Sequence, residues 1–182
     1  MNAVAAYGLL AHGLIFGALV ALLPLGGLRQ RAALTATALA LIAGIAPVMH
    51  GTFGTPSLTL LQLALLHLAN RAPSPLTYRP ALGLLIFALL FYPAALGWGA
   101  FDPYALGYQP WPLLAALVPL AGVLWWQRQD VWLIMLAVNL AAYATGAFAN
   151  LWDVLFDPLL VLLALIIVGR RAVTRVIASR IR

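Results

Sequence analysis

The sequence predicts an all-α integral membrane protein: a bundle of about seven transmembrane helices with the N-terminus outside and the C-terminus inside. Of its 182 residues, 65% are hydrophobic and only 8% are charged, and the mean hydropathy is +1.03. A soluble domain carries about 25% charged residues. The apolar residues also occur in long runs, and arginines follow alternate runs. Lipid is therefore expected to cover most of the surface.

Seven apolar segments carry this prediction, and each is compared with the roughly 20 residues that a spanning helix needs. They are residues 4–27, 32–49, 56–70, 80–98, 110–126, 131–148 and 151–169. The third segment is short and contains Gln62 and His67. A re-entrant segment at 56–70, which would leave six spans, is the alternative.

The arginines give the orientation. They follow the first, third, fifth and seventh segments, at Arg29, Arg31, Arg71, Arg79, Arg128, Arg170, Arg171, Arg175, Arg180 and Arg182. With the N-terminus outside, all ten positive side chains lie on the cytoplasmic side, as the positive-inside bias requires. We expect residues 1–169 to form one bundle and residues 170–182 a basic amphipathic tail.

Composition also bounds the location and the partners. A chain rich in Ala, Leu and Arg but without Lys suggests a GC-rich bacterial genome, so we expect a multi-pass protein of the bacterial inner membrane. The net charge of +6 does not indicate nucleic acid, because the arginines alternate with hydrophobic spans. The absence of Cys excludes disulfides and thiolate metal ligands. No motif indicates a cofactor.

Four residues inside the segments are typical of helix packing. Gly13-x-x-x-Gly17 allows close approach of two helices. Gln62 and Asn139 lie near the centres of their segments, where an amide seeks a partner on another helix. The alternatives are contact with a partner chain for the glycines and a polar pathway for the amides.

The three histidines do not predict a metal site. His12 and His50 are expected near the outer surface, whereas His67 is expected near the inner surface. No His-x-x-x-His or His-Glu-x-x-His pattern occurs. We predict structural, hydrogen-bonded histidines, with binding of a metal or haem by His12 and His50 as the alternative.

The outer loops gather most of the chemistry. Asp102 and Pro103 predict a capped turn that ends at Gly107, and the aromatic residues around it match the belt at the headgroup level. Asp153 and Asp157 can each cap the last helix, and we predict capping at Asp153. A carboxylate pair for acid–base work or cation binding is the alternative. Ligand or partner contact is predicted at Asp102, Tyr104, Tyr108, Trp111, Trp152 and Asp157.

The C-terminal tail alternates basic and apolar residues, which is typical of a helix at a membrane surface. Lipid binding is therefore predicted at Arg170, Arg171 and Arg175, with membrane lipids as partners. A cytoplasmic protein partner is the alternative.

These features favour a non-catalytic accessory or scaffolding subunit of a bacterial membrane complex, bound to one or more partner membrane proteins. No charged residue lies at the centre of a segment, which argues against a pump or an ion-coupled carrier. No nucleophile motif accompanies the aspartates. The first alternative is a small enzyme or binder of a lipid-linked substrate at the outer interface. The second is a passive transporter or channel for a neutral solute that uses Gln62 and Asn139.

Overall fold

The chain is helical throughout its regular parts. The computed structural model describes residues 3–69 and 74–180, and in these ranges it contains no strand. Nine α-helices are present there: α1 Ala3–Val20, α2 Arg29–Ile42, α3 Ile45–Phe53, α4 Leu58–Ala69, α5 Tyr78–Ala95, α6 Trp111–Trp126, α7 Asp130–Ala144, α8 Leu151–Leu155 and α9 Pro158–Arg180. Short 3₁₀ turns occupy Gly26–Leu28 and Tyr104–Gly107. The predicted basic tail is the C-terminal part of α9, apart from residues 181 and 182, which lie outside the described residues.

Among the described residues, two helices are long and apolar enough to cross a membrane: Tyr78–Ala95, and Leu151–Arg175, which combines α8 with most of α9. The pair formed by 26–42 and α3 is a third candidate, although it bends by 74°. The other apolar helices have 10–17 residues when counted over 4–20, 58–69, 111–126 and 130–144. α4, with 12 residues, is about 18 Å long against a hydrocarbon core of about 30 Å. The prediction of seven spanning helices is therefore not confirmed.

Local breakers explain why several predicted segments are interrupted or shortened. Segment 4–27 stops being helical at Val20, ahead of Pro24 and of Gly26 with φ +53°. Segment 32–49 breaks at Gly44, whose φ is +79°. Segment 131–148 ends its helix at Ala144, before Gly146 with φ +74°. Glycine adopts such left-handed angles without the steric cost of a Cβ.

Small residues form much of the packed interior. Helices α1 and α2 pack closely, and α1 also contacts α3 and α4, while α5 packs along α9. Alanines with little or no exposure recur at these contacts, among them Ala11, Ala40, Ala81 and Ala164. Large apolar side chains cover the outside instead, including Leu34, Ile42, Leu89, Leu90 and Trp126. Helix interfaces made of small residues, with large apolar side chains on the exterior, are typical of helices that pack within lipid.

The two ends of the helices differ in charge. Helices α1, α4, α8 and α9 begin near Asp157, and α3, α5 and α7 end near the same place. The described arginine side chains lie toward the opposite helix ends, at Arg29, Arg31, Arg79, Arg128, Arg170, Arg171 and Arg175. We call these two regions the cleft end and the arginine end.

Candidate functional site

The cleft end contains a cavity of about 740 Å³. Its walls come from the starts of α1 and α9, from α8, from the ends of α3 and α5, and from the segments that follow α7 and precede α6. We call it the aromatic cleft because seven of its lining residues are aromatic: Phe53, Phe91, Tyr92, Tyr104, Phe148, Trp152 and Phe156. Asp153 and Asp157 are its acidic residues, and no Arg or His lines it among the described residues.

One wall of the aromatic cleft is a packed cluster of rings from α5 and the α8–α9 segment. Phe91 is at its centre, with its ring centroid 4.8 Å from Trp152 and 5.6 Å from Phe156. Tyr92 lies beside Phe156 at 5.4 Å. Tilted and edge-to-face pairs at these distances are favourable arrangements of aromatic side chains. The cluster ties α5 to the last two helices and gives the cleft a fixed wall.

Asp157 caps α9 and also binds the residue that precedes α4. Its Oδ1 accepts a hydrogen bond from the backbone N–H of Leu160 at 2.6 Å, in the first turn of α9, and its Oδ2 accepts one from the backbone N–H of Ser57, just before α4. Ser57 Oγ in turn accepts from Leu60 N at 3.2 Å. Phe156 before it is extended and Pro158 begins α9, which is the arrangement an N-cap requires. Asp157 is only 5% exposed. Because its carboxylate lies at the starts of α9 and α4, the dipoles of both helices stabilise its negative charge.

Asp153 has a different role from the one predicted. Asn150, not Asp153, caps α8: its Oδ1 accepts from Trp152 N at 2.8 Å. Asp153 Oδ1 accepts a hydrogen bond from the hydroxyl of Tyr104 at 2.8 Å. Burial, followed by this bond, raises the pKa of Tyr104 above its usual value, so the hydroxyl remains a donor at neutral pH. The prediction of capping at Asp153 is therefore wrong, and Asp157 is the helix cap.

The loop before α6 docks on the same corner. Asn150 Nδ2 donates to the carbonyl of Tyr104 at 3.1 Å, and Trp152 Nε1 donates to the carbonyl of Pro103 at 2.9 Å. Gly107 is buried against Asn150 and Trp152, and a Cβ there would collide with both side chains. These contacts hold Tyr104 over the aromatic cleft.

The six residues predicted for ligand or partner contact fall into two groups. Tyr104, Trp152 and Asp157 line the aromatic cleft. The others lie outside its lining and are exposed: Asp102, Tyr108 and Trp111. Asp102 Oδ1 accepts from Tyr104 N at 2.9 Å and so fixes the start of the predicted turn. Tyr108 packs its ring edge-on to Tyr104 at 5.8 Å.

The two amides predicted for helix packing bind each other. Gln62 Nε2 donates to Asn139 Oδ1 at 2.7 Å, and Asn139 Nδ2 donates to Thr59 Oγ1 at 2.8 Å. Gln62 also reaches the carbonyl of Met135 at 3.3 Å. The chain of bonds joins α4 to α7, and neither amide lines the aromatic cleft.

The predicted glycine pair lies at the α1–α2 contact. Gly17 faces Thr37 and the carbonyl of Ala33, and a Cβ at this position would collide with both. Gly13 lies against Leu41, where a Cβ would be 3.0 Å from its side chain. Both glycines therefore allow α2 to approach α1 closely.

Behind the cleft rim, two histidines share one carbonyl. His12 Nε2 and His50 Nδ1 lie 2.9 Å and 3.1 Å from the oxygen of Gly54, a residue of the cleft lining. His12 is fully buried, and its Nδ1 has no partner among the described residues. His67 is elsewhere, bonded to Arg29 at 3.1 Å. No group of three potential metal ligands is present in the part of the chain that the structure describes.

The arginine end is held by contacts of its own. Arg29 donates to the carbonyls of Ala21 and His67, both at 3.0 Å. Arg171 and Arg175 lie over the ring of Tyr78, at 4.8 Å and 5.6 Å from its centroid. Arg170 is exposed on α9. Two of the three arginines predicted to bind lipid thus also join α9 to the start of α5.

Some residues of the site carry a weak signal in the sequence. Asn150 before Leu-Trp-Asp resembles an N-cap, but the five-residue helix that it starts is too short to stand out from the apolar run. Ser57, between a proline and the first residue of α4, is a recognisable N-cap in the sequence. Nothing near it in the sequence indicates that its own N–H binds Asp157. Pairs of residues 100 positions apart leave no local pattern.

The architecture defines an all-helical protein with two or three helices suited to cross a membrane and an aromatic cleft at one end. Comparison with protein-family models, with curated proteins and with solved structures finds no match for this chain.

Proposed function

We propose that this protein is a multi-pass protein of the bacterial inner membrane that binds an amphipathic, lipid-linked molecule in the aromatic cleft at the outer face. The cleft, at the end where none of the described arginine side chains lies, is the observation that carries the proposal. Its volume of about 740 Å³ falls within the roughly 300–1,000 Å³ of small-molecule sites, and its walls are mainly apolar with a few polar groups. That composition suits a ligand with a hydrocarbon part and a small polar part.

The orientation is supported by the alternation of helix ends. The chain passes between the cleft end and the arginine end along α1, α2 with α3, α4, α5, α6, α7 and α9. With seven passes, the arginine end faces the cytoplasm and the cleft faces outward. The short helices are compatible with this arrangement where neighbouring protein, rather than lipid, surrounds their irregular ends.

The orientation can be tested with single cysteines, because the natural chain has none. Ala100→Cys lies at the cleft end and Ala172→Cys lies in α9 at the arginine end. In intact cells stripped of the outer membrane, an impermeant maleimide is expected to label only the first. The second should react after permeabilisation. Labelling of Ala172→Cys in intact cells would contradict the orientation.

The binding function can be tested by native mass spectrometry of the protein in mild detergent. We expect the wild type to retain a stoichiometric amphipathic molecule. Ala147→Trp places an indole in the cleft lining at an exposed position and should displace that molecule. Ala116→Trp adds the same group on the exposed face of α6, outside the lining, and is the control. Equal retention by all three proteins, or no retention by the wild type, would contradict binding in the cleft.

An accessory subunit is the second candidate, and α6 is the observation that favours it. Among the described elements, α6 packs mainly against α7 and the Tyr104–Gly107 turn, and only Leu113 of its 16 residues is buried. A photocrosslinker at Val118, which is 71% exposed, should then give one discrete protein adduct. Leu90 on α5 is equally exposed at 71% and serves as the comparison. Lipid adducts alone at both positions would contradict a partner on α6.

A further inference from the structure

The ligand of the aromatic cleft can be specified further by its charge. We propose that it is an amphipathic organic cation, an ammonium group carried on an apolar chain, which binds beside Asp153. This inference rests on the proposed function. Three features of the cleft carry it: its acidic side chains, its helix N-termini and its aromatic walls.

The charges of the lining have one sign. Asp153 and Asp157 are acidic, and no basic side chain accompanies them among the described lining residues. Asp153 accepts its hydrogen bond from Tyr104 on Oδ1. Its Oδ2 accepts none from the described residues, so it can face a ligand. Burying a carboxylate without a counter-charge costs free energy. A cationic ligand beside Asp153 offsets that cost, whereas an anionic ligand is repelled.

Helix N-termini commonly bind anions, but at the starts of α4, α8 and α9 the chain's own side chains already bind backbone N–H groups. Asp157 accepts the N–H of Leu160 in α9 and that of Ser57 before α4. Asn150 accepts the N–H of Trp152 at the start of α8. The chain's own side chains therefore compete with a phosphate or carboxylate for these donors, and the negative charge of Asp157 repels such a group. Ligands whose polar part is an anion are disfavoured on this ground.

The aromatic walls favour the opposite charge. Tyr92, Tyr104 and Trp152 are partly exposed and line the cleft together with Asp153. Ring faces attract ammonium groups, most strongly where water is displaced, and clusters of aromatic side chains are used elsewhere to bind quaternary ammonium ligands. Phe53 and Phe148 extend the apolar lining beyond the acid and can hold the chain of the ligand.

The test compares two probes on the full-length protein in nanodiscs of uncharged lipid. One is octyltrimethylammonium, and the other is the same chain ending in an uncharged tert-butyl group. Binding is measured by calorimetry. We expect the ammonium probe to bind about ten-fold more tightly, a difference of about 1.4 kcal/mol. Asp153→Asn, whose amide oxygen can still accept from Tyr104, should abolish that preference. Asp130→Asn removes the same charge at the other end of the molecule and should retain it.

The outcomes separate the two proposals. If both probes bind equally and Ala147→Trp blocks both, the inference of a cation is overturned while the cleft remains a ligand site. If neither probe binds, or Ala147→Trp leaves binding unchanged, the proposed function fails as well. If Asp153→Asn keeps the ten-fold preference, Asp153 is not the counter-charge and the inference is overturned.

Discussion

Two interruptions of predicted spanning segments differ in what they connect. At Gly44, between α2 and α3, the chain turns through a left-handed glycine, and a Cβ placed there would meet nothing within 4 Å. Between α8 and α9 the break is built around Phe156 and Asp157, both buried, and it joins α9 to the start of α4 and to α5.

The two breaks differ in the free energy that they require and in the number of elements that they connect. A turn made by glycine needs only a backbone angle that glycine adopts freely. A buried carboxylate needs every lone pair supported, since an unsatisfied charged group in an apolar interior is strongly destabilising. The break at Asp157 therefore exists because several elements meet there, and it is also where the cleft lies. We expect substitutions at the two breaks to differ accordingly.

The largest effect is expected for Asp157→Ala. It leaves the start of α9 without a cap at Leu160 N, and it leaves the buried N–H of Ser57, just before α4, without an acceptor. Loss of two charge-assisted bonds should lower the free energy of unfolding by about 3 kcal/mol or more. Thermal unfolding in mild detergent measures the effect. Asp102→Ala removes an exposed cap and should cost less than about 1 kcal/mol. Equal losses in the two variants would contradict the central role of this break.

A smaller effect is expected for Asn150→Ala. The change removes the cap of Trp152 N and the donor to the carbonyl of Tyr104, both inside the corner that supports the cleft. We expect a loss of about 2 kcal/mol by the same measurement. Asn150→Asp keeps the cap but not the donor, so it should lose about half as much. A fully stable Asn150→Ala protein would show that the loop docks without this residue.

Long apolar runs and short local patterns predicted most of the helices, but not how they meet. The bounds of α4, α5 and α6 agree closely with the predicted segments 56–70, 80–98 and 110–126. Polar, proline or glycine residues on either side of these apolar runs mark where each helix begins and ends. The break at Gly44 falls inside an apolar run, where hydropathy gives no signal, whereas the break at Phe156 is followed by Asp157, which was recognised as a possible cap of the last helix. Of the acids, Asp102 was predicted to cap a turn that it does start. Capping was predicted at Asp153 but occurs at Asp157, since the roles of the two acids depend on Tyr104 and Ser57, distant in sequence.

The smallest effect is expected for Gly44→Ala, which tests the simpler break by itself. The φ of +79° is unfavourable for alanine, whereas the surrounding space is open, so only backbone strain should appear. The expected loss is about 1 kcal/mol in the free energy of unfolding. Gly51→Ala is the matched control, because this glycine lies inside α3, has no positive φ and has equally open surroundings. It should be neutral or stabilise the helix by roughly 0.5–1 kcal/mol. A Gly44→Ala loss as large as that of Asp157→Ala would mean that the bend between α2 and α3 also supports distant packing, and the contrast between the two breaks would not hold.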